Sequence, residues 1–277
     1  MQLTARRHTL DFPRAPLLMG IVNLCADSFS GDGLTDPALA LAHAERLVAD
    51  GADIIDVGAE SARTNRAAMS VAEEADRFCA FLARWQASAV RETMLSINTW
   101  RPEVVRQVLP QGGDLLNDIS ALPTPENAGL CAQHGAALLI MHSIGEPKVP
   151  HTHVRHGDIM ETLERFFAEK IPLAESTGLP RSALVLDPGI DFAKQREDNL
   201  RIYREFARLH RFERPILLPV SRKTVIGETL GITRPEERDA GTVACLVQGV
   251  LEGAQIFRVH NVRAAAQAVR TVEWVRG

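Results

Sequence analysis

Short apolar runs alternate with longer amphipathic segments along the chain. The runs are residues 17–24 (LLMGIVNL), 54–59 (IIDVGA), 94–99 (MLSINT) and 115–119 (LLNDI). Four more follow at 137–142 (ALLIMH), 183–188 (ALVLDP), 215–221 (PILLPVS) and 256–260 (IFRVH). Most are nearly continuous rather than alternating, as parallel strands buried on both faces require. Between them, residues 37–50, 158–176, 195–210, 235–251 and 264–275 repeat apolar positions at helical spacing. Gly51 stops the first of these helices, and Ser70 with Glu73 forms a capping-box pattern that opens another. Eight strand–helix repeats in 277 residues predict an α/β fold, a closed (β/α)8 TIM barrel forming a single domain over residues 1–277. Residues 1–14 read as a lead-in that closes the bottom of that barrel.

Most of the runs begin apolar and end polar. Their polar ends are Asn23 (with Asp27 beyond it), Asp56 leading to Glu60 and Arg63, Asn98, and Asn117 with Asp118. The later ones are His142, Asp187, Ser221 to Lys223, and Arg258 with His260. In a barrel these ends converge on one face, where active sites of the fold lie. Polar groups so near a core are costly unless paired with each other or with a ligand. Asn98, Asn117, Asp187 and Lys223 together offer donors and acceptors, which suit a flat polar heterocycle. Arg63, Arg258 and His260 suit an anion, since arginine gives phosphate a bidentate fork. A helix expected just after Lys223 would add backbone donors for that anion. Asn23 and Asp27 offer oxygen ligands to Mg²⁺ on a diphosphate.

Composition narrows the partners. The hydrophobic fraction is 45% and the charged fraction 24%, near the average for soluble globular proteins. A net charge of -4 argues against nucleic acid as a partner. No run of about 18 uncharged apolar residues suits a membrane span, and the start, MQLTARRHTLDFPR, lacks the apolar run of a signal peptide. Cys25, Cys79, Cys131 and Cys245 form no CxxC pair and read as reduced thiols. A cytoplasmic enzyme is the expectation. The histidines at 151, 153 and 156 read as a solvated loop, and Trp85, Trp100 and Trp274 as packing residues.

The ordered strand-end motifs resemble the dihydropteroate synthase family. MGIVNLCADSFSGDG (residues 19–33) and IIDVGAESAR (54–63) resemble that family's first two strand-and-loop segments. LLNDI (115–119), LDPG (186–189), SRK (221–223) and RVHNV (258–262) resemble its later ones. The resemblance implies that Asn98, Asn117, Asp187 and Lys223 bind a pterin ring. Arg63, Arg258 and His260 would hold a diphosphate, with Asn23 near Mg²⁺. Phe29 and Ser221 would stand by the p-aminobenzoate pocket, with catalysis carried by Asn98, Asp187, Lys223 and Arg63. It further implies a homodimer packed through late helices, and a reaction joining a pterin diphosphate to p-aminobenzoate.

Several positions depart from the family pattern. Asn98 stands where the family has aspartate, Cys25-Ala26 where it has Thr-Pro, Thr64 where it has proline, and Asp191 where it has glycine. An amide at 98 forgoes an ionic hydrogen bond worth about 1.5–3 kcal/mol. The readings open at this level are a synthase, a paralogue with a different acceptor or pterin, a methyl-folate-dependent methyltransferase domain, and a non-catalytic pterin binder.

Overall fold

The computed structural model of the chain describes residues 1–25, 33–60, 68–149 and 151–277. A hairpin of β1 (Gln2–Ala5) and β2 (His8–Asp11) leads into β3 (Leu17–Asn23), followed by α1 (Pro37–Ala49). Next come β4 (Ile54–Gly58), α2 (Val71–Gln86), β5 (Met94–Asn98), α3 (Pro102–Val108), β6 (Leu115–Asp118) and α4 (Glu126–His134). The second half holds β7 (Ala137–Met141), α5 (Ile159–Glu175), β8 (Leu184–Asp187), α6 (Arg196–Arg204) and β9 (Leu217–Leu218). After β9 come α7 (Thr224–Leu230) and α8 (Asp239–Leu251), then β10 (Ile256–Val259) and α9 (Val262–Arg276).

The eight-stranded parallel sheet runs β8-β7-β6-β5-β4-β3-β10-β9. A single parallel bridge, Leu186 to Ile216, joins its two edges into a barrel. The seventh apolar run thus yields a strand of two residues rather than seven. Proline at 215 and 219 supplies no backbone donor on either side of it, which shortens the ladder. The expected helix over 195–210 also divides, into α6 and a tighter 3-10 stretch, Phe206–Phe212.

β4, β6, β7 and β8 are buried at every position, so their residues fill both the barrel interior and the layer beneath the helices. On α2 the buried positions 74, 75, 78, 81, 82 and 85 form one helical stripe. Phe78 and Phe81 are fully buried within it, each worth about 1.5–3 kcal/mol. Gly249 lets α8 approach the sheet: a Cβ there would lie 2.6 Å from Phe257 and 2.7 Å from Leu218. Trp85 is buried and Trp100 packs partly against the core. Trp274, however, is 83% exposed. It falls off the buried stripe of α9, formed by Val262, Ala265 and Val269.

The β1–β2 hairpin closes the bottom, as the lead-in reading required. Arg6 donates its backbone amide to Gly135 O and its Nε to Gly113 O. Thr4 Oγ1 meets Ser182 Oγ at 2.9 Å, and Arg214 Nη1 donates to Gln2 O at 3.1 Å. These partners precede β6, β7, β8 and β9, so the open end of the barrel is the one holding the polar strand termini.

Candidate active site

At the inner end of the barrel mouth, the fully buried Asp56 gathers four side-chain donors. Ser96 Oγ lies at 2.6 Å, Arg258 Nε at 2.7 Å, Asn117 Nδ2 at 3.1 Å and Asn98 Nδ2 at 3.3 Å. Register explains the convergence: Asp56 sits opposite Ser96, and Asn98 opposite Asn117. An ionised carboxylate only accepts. Both amides therefore turn their NH₂ groups to Asp56 and direct their carbonyl oxygens elsewhere. Asn98 thus keeps an acceptor for a ligand although it lacks a carboxylate's charge. Asp56 is visible in the sequence as a polar residue in an apolar run, but nothing there marks it as the hub.

Across the barrel lies a second polar group. Asp187 Oδ1 accepts from the Gly189 amide at 2.7 Å. Burial pushes the Asp187 carboxyl up to about 6, against the pull of that amide and of Lys223, Lys194 and Arg258. Gly189 is obligatory on two counts, a φ of +68° and a would-be Cβ only 2.0 Å from His142 O. Lys223 donates Nζ to Ile190 O at 3.0 Å and stands 5.3 Å from the Phe192 ring centre. Burial lowers its pKa, while Asp191 and Asp187 oppose that. Sequence reasoning missed Lys194, whose Nζ lies 2.8 Å from His142 Nδ1 and 3.0 Å from Phe192 O. Burial brings Lys194 down to about 7, and burial beside Lys194 holds His142 well below the usual histidine range. The only sequence signal for this pair was His142 at a strand end.

The last two strands supply a third group. Ser221 Oγ and His260 Nδ1 are 2.7 Å apart, and the His260 amide donates back to Ser221 Oγ at 3.1 Å. Arg222 turns away from the mouth to pair with Asp239 at 2.8 Å. At the rim the buried Glu60 meets Arg101 at 2.6 Å and Lys148 at 2.8 Å, and accepts the Met69 amide at 2.9 Å.

A cavity of about 650 Å³ joins these groups, a size suited to a small organic ligand. Asn23, Asn98, Asn117, Asp187, Ser221, Lys223, Arg258 and His260 all line it. His151 lines it too, so part of the expected solvated loop faces the cavity. Arg63, Phe29 and Asp27 lie outside the described residues. One expectation is overturned: the backbone donors at the start of α7 are not offered to an anion. Asp191 takes them, accepting from the Thr224 and Val225 amides.

Comparison with known proteins adds an independent line. A family described as "Pterin binding enzyme" matches residues 19–260. The dihydropteroate synthase of Escherichia coli K12 is 37% identical over 275 residues, covering 99% of this chain and 96% of its own. A Yersinia pestis dihydropteroate synthase solved with a sulfonamide drug superposes with a TM-score of 0.91 at 37% identity, covering 100% of this chain and 99% of its own. The Xanthomonas albilineans enzyme with 4-aminobenzoic acid gives 0.88 at 33% identity, covering 100% and 98%.

Proposed function

Because the chain belongs to the pterin-binding enzyme family, among the dihydropteroate synthases, we propose that the cavity at the barrel mouth is where its two substrates meet. The protein is a transferase of that kind. It condenses 6-hydroxymethyl-7,8-dihydropterin diphosphate with p-aminobenzoate and releases diphosphate. Residues 1–277 are taken as one pterin-binding barrel domain. The observation that carries the assignment of roles is the make-up of the lining. Two amides, the Asp187 carboxylate and the Lys223 ammonium border the same cavity as Arg258 and His260, with Arg258 tied to Asp56 beside the amides.

Asn98, Asn117, Asp187 and Lys223 take the pterin ring edge. Arg258 and His260, with Arg63, take the diphosphate. Ser221, with Phe29, borders the p-aminobenzoate. The C–O bond to diphosphate breaks with its electron pair leaving on oxygen. The aryl nitrogen then bonds to the pterin methylene carbon and loses a proton. Cationic side chains stabilise charge developing on the leaving group, and Asp187 stabilises the electron-poor ring. The protein supplies no nucleophile; it fixes two reactants in register. Asn23 lines the cavity and would offer one neutral oxygen to Mg²⁺ carried on the diphosphate, with phosphate oxygens and water as the other ligands; among the described residues no cluster of three His, Cys, Asp or Glu side chains is placed to hold the ion alone. Bound there, Mg²⁺ would neutralise diphosphate charge.

A homodimer in the cytoplasm completes the proposal. Its support is the exposed Leu251, Trp274 and Val275 on the late helices and the reduced thiols of Cys79, Cys131 and Cys245. Among the described residues no helix is long and apolar enough to cross a membrane. Calorimetric titration with the pterin diphosphate and Mg²⁺, then p-aminobenzoate and product analysis, tests the function. Saturable binding followed by dihydropteroate formation is expected. Binding followed by product only with another amine would replace the acceptor, and no binding would remove the reading. Sedimentation should give twice the 30.4 kDa chain mass.

A further inference from the structure

Asp191 stands in the loop after β8 with a φ of +71°, a left-handed conformation that asparagine, aspartate and glycine tolerate best. Its carboxylate caps the first turn of α7 from another part of the chain, accepting from the amides of Thr224 and Val225. The other side of Asp191 is held by α6. Its amide donates to Asn199 Oδ1 at 2.9 Å, and Asn199 Nδ2 donates to its Oδ1 at 3.3 Å. Lys223, the residue just before α7, makes no cap with its own side chain. Its Nζ instead reaches Ile190 O, one residue before Asp191. The loop and the helix are therefore tied twice, through the lysine's own ammonium to Ile190 and through the two amides that follow the lysine to Asp191.

We propose that Asp191 is a positioning residue for Lys223, clamping the loop after β8 onto α7 so that the ammonium is held at the pterin edge beside Asp187. The inference rests on Lys223 being a pterin ligand. Asp191 also sets the charge around the lysine. The groups facing Lys223 are Asp187 from β8, Asp191 and Lys194 from the loop, and Arg258 from β10. Asp191 is the largest of the influences that keep Lys223 protonated against burial. Removing its charge makes the ammonium easier to deprotonate, so the alkaline limb of activity moves to lower pH.

Two substitutions compatible with a left-handed backbone separate the clamp from the charge. Asp191→Asn keeps an acceptor oxygen and loses the charge. Asp191→Gly loses both. Steady-state kinetics of the full chain are measured across pH, varying each substrate in turn, with thermal melts in parallel. On the alkaline limb both variants should show roughly tenfold lower kcat/KM for the pterin diphosphate than the parent. Well below that limb Asp191→Asn should stay within about threefold of the parent. Asp191→Gly should raise the pterin KM about tenfold there and leave the p-aminobenzoate KM unchanged. Parent-like limbs and KM values in both variants, even with lowered melting temperatures, would overturn the proposal. An inactive parent would instead sink the functional reading, and pterin-diphosphate affinity against pH would then decide the role of Asp191.

Discussion

Asp56 on β4 and Asp187 on β8 stand four strands apart in an eight-stranded barrel, on opposite walls of one mouth. Both are buried. Asp56 accepts from a hydroxyl, two amides and a guanidinium. Among the described residues, the Asp187 carboxylate takes one hydrogen bond, from Gly189. The number of protein donors separates their uses. A carboxylate saturated by its own chain organises neighbours; one left under-satisfied retains lone pairs for a ligand and carries a raised pKa as the cost of burial.

The strongest way to break this contrast is Asp56→Ala. It strips the partner from Arg258 and the anchor from both amides, and should cost about 3–5 kcal/mol in urea unfolding. A loss under about 1 kcal/mol would mean that the hub organises nothing. Asp187→Asn sharpens the contrast from the other wall. It should lower kcat/KM about a hundredfold by weakening ionic contacts to the ring, with stability near neutral pH unchanged or higher. The parent's kcat/KM should also fall as pH drops below about 6, where Asp187 takes up a proton. The linked stability has a definite sign. The folded pKa lies above the unfolded one, so the contribution of Asp187 is fully present below pH 3.8 and is lost as pH rises through about 6. A parent acid limb persisting in Asp187→Asn would assign it to another group.

Asn98→Asp carries the smallest expected effect. It puts a carboxylate where an amide nitrogen now lies 3.3 Å from Asp56. Turnover should rise roughly tenfold, with a stability loss of about 1 kcal/mol from the like charges. Turnover that does not rise would show that the Asn98 carbonyl already supplies what the ring requires.

The barrel was legible because strands buried on both faces leave nearly continuous apolar runs, and because most of those runs carry polar residues toward the same end of the sheet. Asn98, Asn117, Asp187 and Lys223 could be gathered by that rule alone. The hub role of Asp56 could not, since it depends on side-chain contacts with β5, β6 and β10. Lys194 was hidden because its partner, His142, lies 52 residues away. Asp191 was visible as a charge in a loop, but its capping of α7 requires two loops brought side by side. The two-residue β9 was overestimated because Pro215 and Pro219 bound an apolar run that the ladder cannot follow.

That short strand leaves the cylinder with a seam. Between β8 and β9 the main chain contributes one bridge, whereas β4 and β5 pair over five residues. Asp187 emerges on one bank and Lys223 on the other, with Lys223 Nζ reaching across to Ile190. A flat heterocycle gripped by both side chains would act as a rivet, joining two edges that the backbone barely stitches. A ring held there would add a side-chain tie to a seam that the main chain closes with one bridge.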